Sequence, residues 1–133
     1  MSSILARQPD VFELALYHCR KDEWHQGLAY LRKTAELTPE KERPSLYFSY
    51  LGQALARCER RFDDALDLCD RALELEFFHP EHYLNLANVH ALRHDRKRAI
   101  RVLERGLERE PPHGGLRSFR EKLGVPQDPV LSV

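Results

Sequence analysis

The stretch YLNLANVHALRHDRKRAIRVLERGLEREP, residues 83–111, decides the fold. Its apolar residues recur three and four apart on either side of a polar joint, LRHDRKR, which is the spacing of two amphipathic helices. Three small residues, Ala87, Ala99 and Gly106, fall on the faces this spacing buries. A helix that needed only an apolar stripe would carry Leu there. Small residues on buried faces imply backbones that come close together, and so a stack of helices whose spacing matters. Gly106 in mid-helix costs up to about 1 kcal/mol relative to Ala, which close packing offsets. Pro111 ends the second helix so that the chain can turn back.

The pattern occurs again upstream, and repeats decide architecture before anything else does. In YFSYLGQALARCERRFDDALDLCDRALELE (47–76), Leu51-Gly52 takes the place of Leu86-Ala87, Ala65 that of Ala99, Cys69 that of Leu103 and Ala72 that of Gly106. Between the second helices the offset is 34 residues. A fainter copy, VFELALYHCRKDEWHQGLAYLRKTAELTP (11–39), places Leu14-Ala15, Gly27, Leu31 and Thr34 equivalently, with Pro39 matching Pro111. From Gly27 to Ala65 the offset is 38, so about four residues are extra, most of them in the loop PEKERPS.

Local chemistry marks the helix ends. Asp10 with Glu13 three residues on is a capping-box pattern, and Pro44 and Pro80 suit first turns, where a missing N–H costs nothing. No strand pattern and no Asn-Gly hairpin appears. Gly114-Gly115 breaks the chain, LRSFREKLG gives one more short helix carrying Leu116, Phe119 and Leu123, and VPQDPVLSV is too proline-rich to continue it.

A 34-residue helix–turn–helix unit with Tyr83, Leu86, Ala87, Ala99, Leu103 and Pro111 at these places resembles the tetratricopeptide repeat (TPR). The second unit departs from that pattern in Phe77, where the proline belongs. The first departs in Val11 and His18 at large-aromatic places and in Gly27 for alanine. The resemblance implies an all-α, right-handed α-solenoid of three units, at about 11–39, 45–77 and 80–111, followed by a cap helix at about 115–124. Residues 1–124 would form a single domain and 125–133 a flexible tail.

Bulk properties bound the function. A chain of 133 residues holds one domain with a real core. Its formal net charge of zero offers no global attraction to nucleic acid or to an anionic membrane. Cys19, Cys58 and Cys69 lie inside expected helices without CxxC spacing and read as reduced, mostly buried thiols. MSSILARQPD holds no apolar signal core, and no run of about 18 apolar residues occurs. A soluble, cytoplasmic chain is expected.

Catalytic and metal chemistry finds little footing. His90 and His94 stand four apart, a spacing that can chelate a metal, but no HExxH glutamate adjoins them. A core histidine and a turn histidine is the simpler account. His79 and His82 flank Pro80 at a helix start and read as cap and surface. Arg57, Arg60 and Arg61 could lower the Cys58 thiol pKa, although an inert thiol is the simpler account there too. No phosphate-binding glycine loop occurs and no acid, base and nucleophile assemble. No enzyme activity, cofactor or metal is expected.

The second helices of units two and three carry opposite charge. Residues 62–76 hold Asp63, Asp64, Asp67, Asp70, Glu74 and Glu76 against Arg71 alone. Residues 96–109 hold Arg96, Lys97, Arg98, Arg101, Arg105 and Arg109 against Glu104 and Glu108. Complementary pairing along a shared seam is the simplest expectation, each exposed pair contributing only about 0–1 kcal/mol. An acidic partner, or the acidic face of a second copy, is the sharper one. Nucleic acid fits less well, since no stacking aromatics interleave with the arginines.

In TPR proteins the first helices line a concave groove that holds a peptide or a partner helix. Carried over by position, the groove here comprises Phe12, Glu13 and Leu16 in unit one. Unit two supplies Ser49, Tyr50, Gln53 and Arg57, and unit three Leu84, Asn85, Asn88 and Asp95. Asn and Gln both donate to and accept from a peptide backbone, and Tyr50 adds rigid area with a polar tip. The lysine and arginine that clamp chaperone C-termini in the third unit of some TPR domains are replaced by Leu84 and Asn88. A mostly uncharged, open groove with Phe12, Leu16, Tyr50 and Leu84 suits an apolar or amphipathic protein segment. The expected role is a protein–protein interaction module or adaptor. Two alternatives stay open: a small chaperone holding one client's apolar segment, and a self-assembling, homo-oligomeric structural protein.

Overall fold

A computed structural model describes residues 10–125, and its regular elements are all helical. They are α1 (Val11–Arg20), α2 (Trp24–Leu37), α3 (Ser45–Glu59), α4 (Phe62–Leu75), α5 (Pro80–Leu92), α6 (Arg96–Arg109) and α7 (Gly114–Lys122), with a short 3₁₀ turn at Glu40–Glu42. The tail expected over 125–133 lies, beyond Val125, outside the described residues. Three hairpins, α1/α2, α3/α4 and α5/α6, stack so that α3 contacts both α1 and α5, far more extensively α5, and α7 closes the end against α5 and α6. No described helix is long and apolar enough to cross a membrane.

The helix starts follow the sequence chemistry. Asp10 accepts from the amides of Phe12 (2.6 Å) and Glu13 (3.2 Å). Asp95 caps α6 through the Arg98 amide at 3.1 Å, and the His113 ring caps α7 through Leu116 at 3.2 Å. Pro80 opens α5, and Pro44 sits one residue before α3 as its cap. The turn inside each hairpin carries one left-handed residue, Asp22, Arg60 or His94, at φ 61°, 52° and 62°. Their spacing is that of the repeat itself. In the first and third turns the reversal is sealed by Glu23 N–H to His18 C=O and Asp95 N–H to His90 C=O, both 2.9 Å, the six-residue bond of a Schellman ending. None of these positions is glycine, so the sequence carries no conspicuous mark of the turn.

Two clusters of buried side chains make the core, one around Leu31, Phe48 and Leu55, the other around Leu86, Leu103 and Leu116. Close helix contact explains the small residues. A Cβ on Gly52 would stand 2.8 Å from the Ala65 carbonyl oxygen and 2.9 Å from the Cys69 sulfur. One on Gly106 would meet Tyr83 at 3.0 Å and Leu116 at 3.1 Å. Gly27, the departure from the repeat's alanine, faces Cys19, whose sulfur lies 2.4 Å from where a Cβ would be. The larger residue on α1 takes the room that the smaller one on α2 leaves.

One expectation is corrected here. Among the described residues no ion pair joins α4 to α6: Arg61 pairs with Asp64, Arg71 with Glu40, Arg98 with Asp95, and Arg120 with Glu104. The opposite charges therefore do not form a bonded seam. Cys58 is the inert thiol expected, not one activated by its arginines. Burial and the adjacent Glu59 carboxylate raise its thiol pKa, outweighing Arg32 and Arg57. Burial pushes Cys19 further, to about 12.

Gly52→Ala should destabilise the protein by about 1–3 kcal/mol, because the new methyl meets a backbone carbonyl that cannot swing away. Gly114→Ala, with open space around its Cβ position, should gain up to about 1 kcal/mol from helix propensity. Thermal melts followed by circular dichroism check both; equal melting temperatures would contradict the close approach of α3 and α4.

Candidate functional site

The first helices expose polar side chains toward one another, and the structure ties those of α3 and α5 into one chain of hydrogen bonds. Arg57 Nε donates to Gln53 Oε1 (2.6 Å), Gln53 Nε2 to Asn85 Oδ1 (2.6 Å), and Asn85 Nδ2 to Ser49 Oγ (3.1 Å). Ser49 Oγ lies 2.8 Å from His82 Nδ1, and His82 Nε2 lies 3.0 Å from Ser45 Oγ, which donates to Glu76. The donors fix the protons. Because Ser45 gives its proton to the carboxylate, its oxygen accepts from His82 Nε2–H. Nδ1 of the neutral ring then accepts from Ser49, whose oxygen is free to accept from Asn85. The chain runs in one direction, from a guanidinium to a carboxylate.

His82, expected at the surface, is thus a buried member of this network with no exposed area. Tyr50, expected as an exposed anchor, is only 6% exposed, and its hydroxyl donates to Glu81. Arg20 grips the same carboxylate with two bonds, Nε at 2.9 Å and a terminal nitrogen at 2.7 Å. Burial would raise the Glu81 carboxyl, yet the bonds from Arg20 and Tyr50 hold it below its usual value. Arg20, from the end of α1, is thereby locked to the start of α5.

Above this layer lies an open groove of about 700 Å³. Six of the eleven residues expected to line it do so, Tyr50, Gln53 and Arg57 from α3 and Leu84, Asn85 and Asn88 from α5, whereas Glu13 is not among the lining residues and Ser49 lies in the buried network beneath. Phe12 and Leu16 do not line it either. Phe12 lines a separate pocket with Thr34, Leu37 and Pro44, and Leu16 packs against the core cluster that α1, α2 and α3 share. Asp95 caps α6, away from the groove.

Residues that the sequence reading did not place there complete the walls. Arg20, Asp22 and Trp24 come from the end of α1, the turn after it and the first residue of α2, and Ser118, Phe119 and Lys122 from α7. Three cations, Arg20, Arg57 and Lys122, therefore face two carboxylates, Asp22 and Glu81. This corrects the mostly uncharged groove expected above. Arg20 is spent on Glu81, and Asp22 accepts from the Trp24 indole at 3.1 Å. Among the described residues Arg57 has only amide oxygens as partners, Gln53 and Asn88 (3.0 Å), and it lies 5.3 Å above the Trp24 ring. Its charge is positioned but not neutralised.

Burial, assisted by the neighbouring His79, lowers the His82 pKa to about 4 from an ordinary 6.5. Between these values the unfolded chain takes up a proton that the folded chain refuses. Stability should therefore fall as pH drops from about 6.5 to about 4, by up to about 3 kcal/mol from this group, and level off below. His82→Gln removes that contribution. Urea midpoints at pH 7 and pH 4.5 should differ more for the wild type than for the variant; equal losses would mean that His82 is not held neutral.

No protein-family model matches the chain, and no curated protein matches it significantly. Solved structures do match. The TPR domain of Arabidopsis OM64 is similar at a TM-score of 0.65 and 15% identity, over 86% of this chain and 91% of that one. The first TPR domain of Spaghetti (RPAP3), bound to the HSP90 peptide SRMEEVD, is similar at 0.64 and 16%, over 92% and 94%. MamA is similar at 0.59 and 16%, over 92% and 77%. Identities this low speak to the fold alone, and here they speak to the same one as the repeat spacing and the stacked hairpins: the chain has the tetratricopeptide-repeat fold.

Proposed function

We propose that the chain is a protein–protein interaction module whose groove holds an amphipathic segment of a partner, with a carboxylate of that segment meeting Arg57 and Lys122. One observation carries the reading: Arg57 is held in place by Gln53, Asn88 and Trp24, with no carboxylate partner among the described residues. A cation fixed in a groove by neutral groups is pre-organised for an external anion. Leu84, Phe119 and Trp24 supply apolar wall beside it. The outer side chain of Asn88 can bond a peptide backbone while Asn85 stays in the buried network. That the first TPR domain of Spaghetti (RPAP3) is bound to an HSP90 peptide supports a protein segment as the ligand class. The work assigned is binding rather than catalysis.

The test begins with affinity capture by the wild type and by Arg57→Ala/Asn88→Ala, followed by titration calorimetry with the segment so identified. The double variant should bind at least about 2 kcal/mol more weakly, the order expected for a charge-assisted contact and a lost amide bond together. Its melting temperature should fall by only a few degrees, the cost of leaving Gln53 Oε1 without its donor, and its helical circular-dichroism signal should match that of the wild type. Arg98→Ala/Arg105→Ala, outside the groove, should leave the affinity per site unchanged. Loss of binding in that control with retention in the groove variant would move the site to α6.

A further inference from the structure

The faces of α4 and α6 that the groove does not use remain electrically incomplete. On α4, Asp63, Asp67, Asp70 and Glu74 are exposed at the spacing of one helical face. On α6, Lys97, Arg98, Arg101, Arg105 and Arg109 are exposed, and among the described residues only Arg98 has a carboxylate partner. The two faces flank a shallow trough of about 280 Å³, with Asp70 on one wall, Arg98, Arg101 and Arg105 on the other, and Leu86 and His90 on the floor. They face the same trough yet do not reach across it. Burial and the carboxylates of Asp67 and Glu74 raise the Asp70 carboxyl, with His90 and Arg105 opposing them.

We propose that this surface pairs two copies of the chain about a twofold axis running along the trough. The argument is geometric. As second helices of successive units, α4 and α6 run in the same direction, and the repeat offset sets Asp67 level with Arg101 and Asp63 level with Lys97. A twofold axis parallel to the helices turns a second copy face to face with the first and exchanges the walls. The acidic wall of each then lies on the basic wall of the other, at the same height. Asp67 meets Arg101 of its partner copy, and the pairing occurs twice, as a closed, isologous interface requires. A twofold axis across the helices would set acid on acid and base on base, so charge selects one arrangement and rejects the other. The concave groove lies on the other side of the α3–α5 layer and stays open in both copies. The pair is thus a bivalent binder, and two linked target segments would be held more tightly than one.

Sedimentation equilibrium tests this. At low salt the wild type should show twice the 15.6 kDa chain mass. The dissociation constant should rise by at least about tenfold as ionic strength passes about 0.15 M, where the Debye length falls to about 8 Å. Asp67→Lys/Asp70→Lys makes both walls basic, and Arg101→Glu/Arg105→Glu makes both acidic. Each alone should be monomeric, and their equimolar mixture should recover the dimer mass. Should either reversal lose its helical circular-dichroism signal, Asp67→Asn and Arg101→Gln replace them, each expected to weaken wild-type association. A monomeric wild type at low salt, a variant that still dimerises alone, or folded variants that ignore each other would overturn the proposal. A mass climbing beyond two copies would overturn the twofold arrangement in favour of an open chain.

Discussion

The buried hydrogen-bond chain between α3 and α5 is the constraint on which the rest of the architecture hangs. Each link uses a particular donor and acceptor, from Arg57 through Gln53, Asn85, Ser49 and His82 to Ser45 and Glu76. Sliding α5 by one turn along α3 would break Gln53–Asn85 and Ser49–His82 together. Each buried polar group so orphaned costs about 1–3 kcal/mol. Apolar surfaces tolerate many registers; a fully satisfied polar network tolerates one. Because α7 closes against α5 and α6, that register also decides where Phe119 and Lys122 stand over the groove.

Register places the helices along their axes, and small residues set how near they stand. Gly52 lets α4 approach α3, and Gly106 lets α5 and α7 approach α6. Between units one and two the opposite device operates. The extra residues form the 3₁₀ turn at Glu40–Glu42, and Arg43 ties the loop back to the carbonyls of Ala35 (3.0 Å) and Thr38 (2.9 Å). The contact of α1 with α3 is correspondingly slight beside that of α3 with α5. The space so left is the open end of the groove, entered by Arg20 and Trp24. The longer offset of the first unit is thus a structural spacer held by its own hydrogen bonds.

The fold was legible in the sequence because its signal is redundant: Ala65 and Ala99, Ala72 and Gly106, and Leu51-Gly52 and Leu86-Ala87 repeat one requirement. Groove positions on α3 and α5 were legible for the same reason. What was not legible concerns how the polar groups satisfy one another. His82 beside Pro80 has the local look of a surface residue, and only Ser45 and Ser49, more than thirty positions away, make it a buried one. Tyr50 reads as an exposed anchor until Glu81 is found at its hydroxyl. Phe12 and Leu16 lie outside the groove because α1 contacts α3 only slightly and its end, not its middle, reaches the groove. Lys122 and Phe119 carry no repeat signal at all, since α7 belongs to no repeat.

Neutrality of the whole chain conceals two opposed local fields, and the hydrogen-bond chain is what separates them. Glu76 and Glu81, the acids nearest the α3–α5 layer, are consumed inside it by Ser45, Tyr50 and Arg20. With Asp22 still in the groove, Arg57 and Lys122 leave it one positive charge in excess. Since the formal charge sums to zero, a compensating excess of carboxylate must lie elsewhere, and α4 carries much of it. At physiological salt, charges farther apart than about 8 Å are largely screened from one another. The excess on each side therefore acts on what touches that side, whatever the total. A net charge of zero argues against long-range attraction to a polyanion, but places no limit on recognition within a groove or across a trough. Within the groove Glu81 is bound by Arg20 and Tyr50 and Asp22 by the Trp24 indole, while the carboxylates of α4 lie beyond the bonded layer, which keeps the Arg57 guanidinium available.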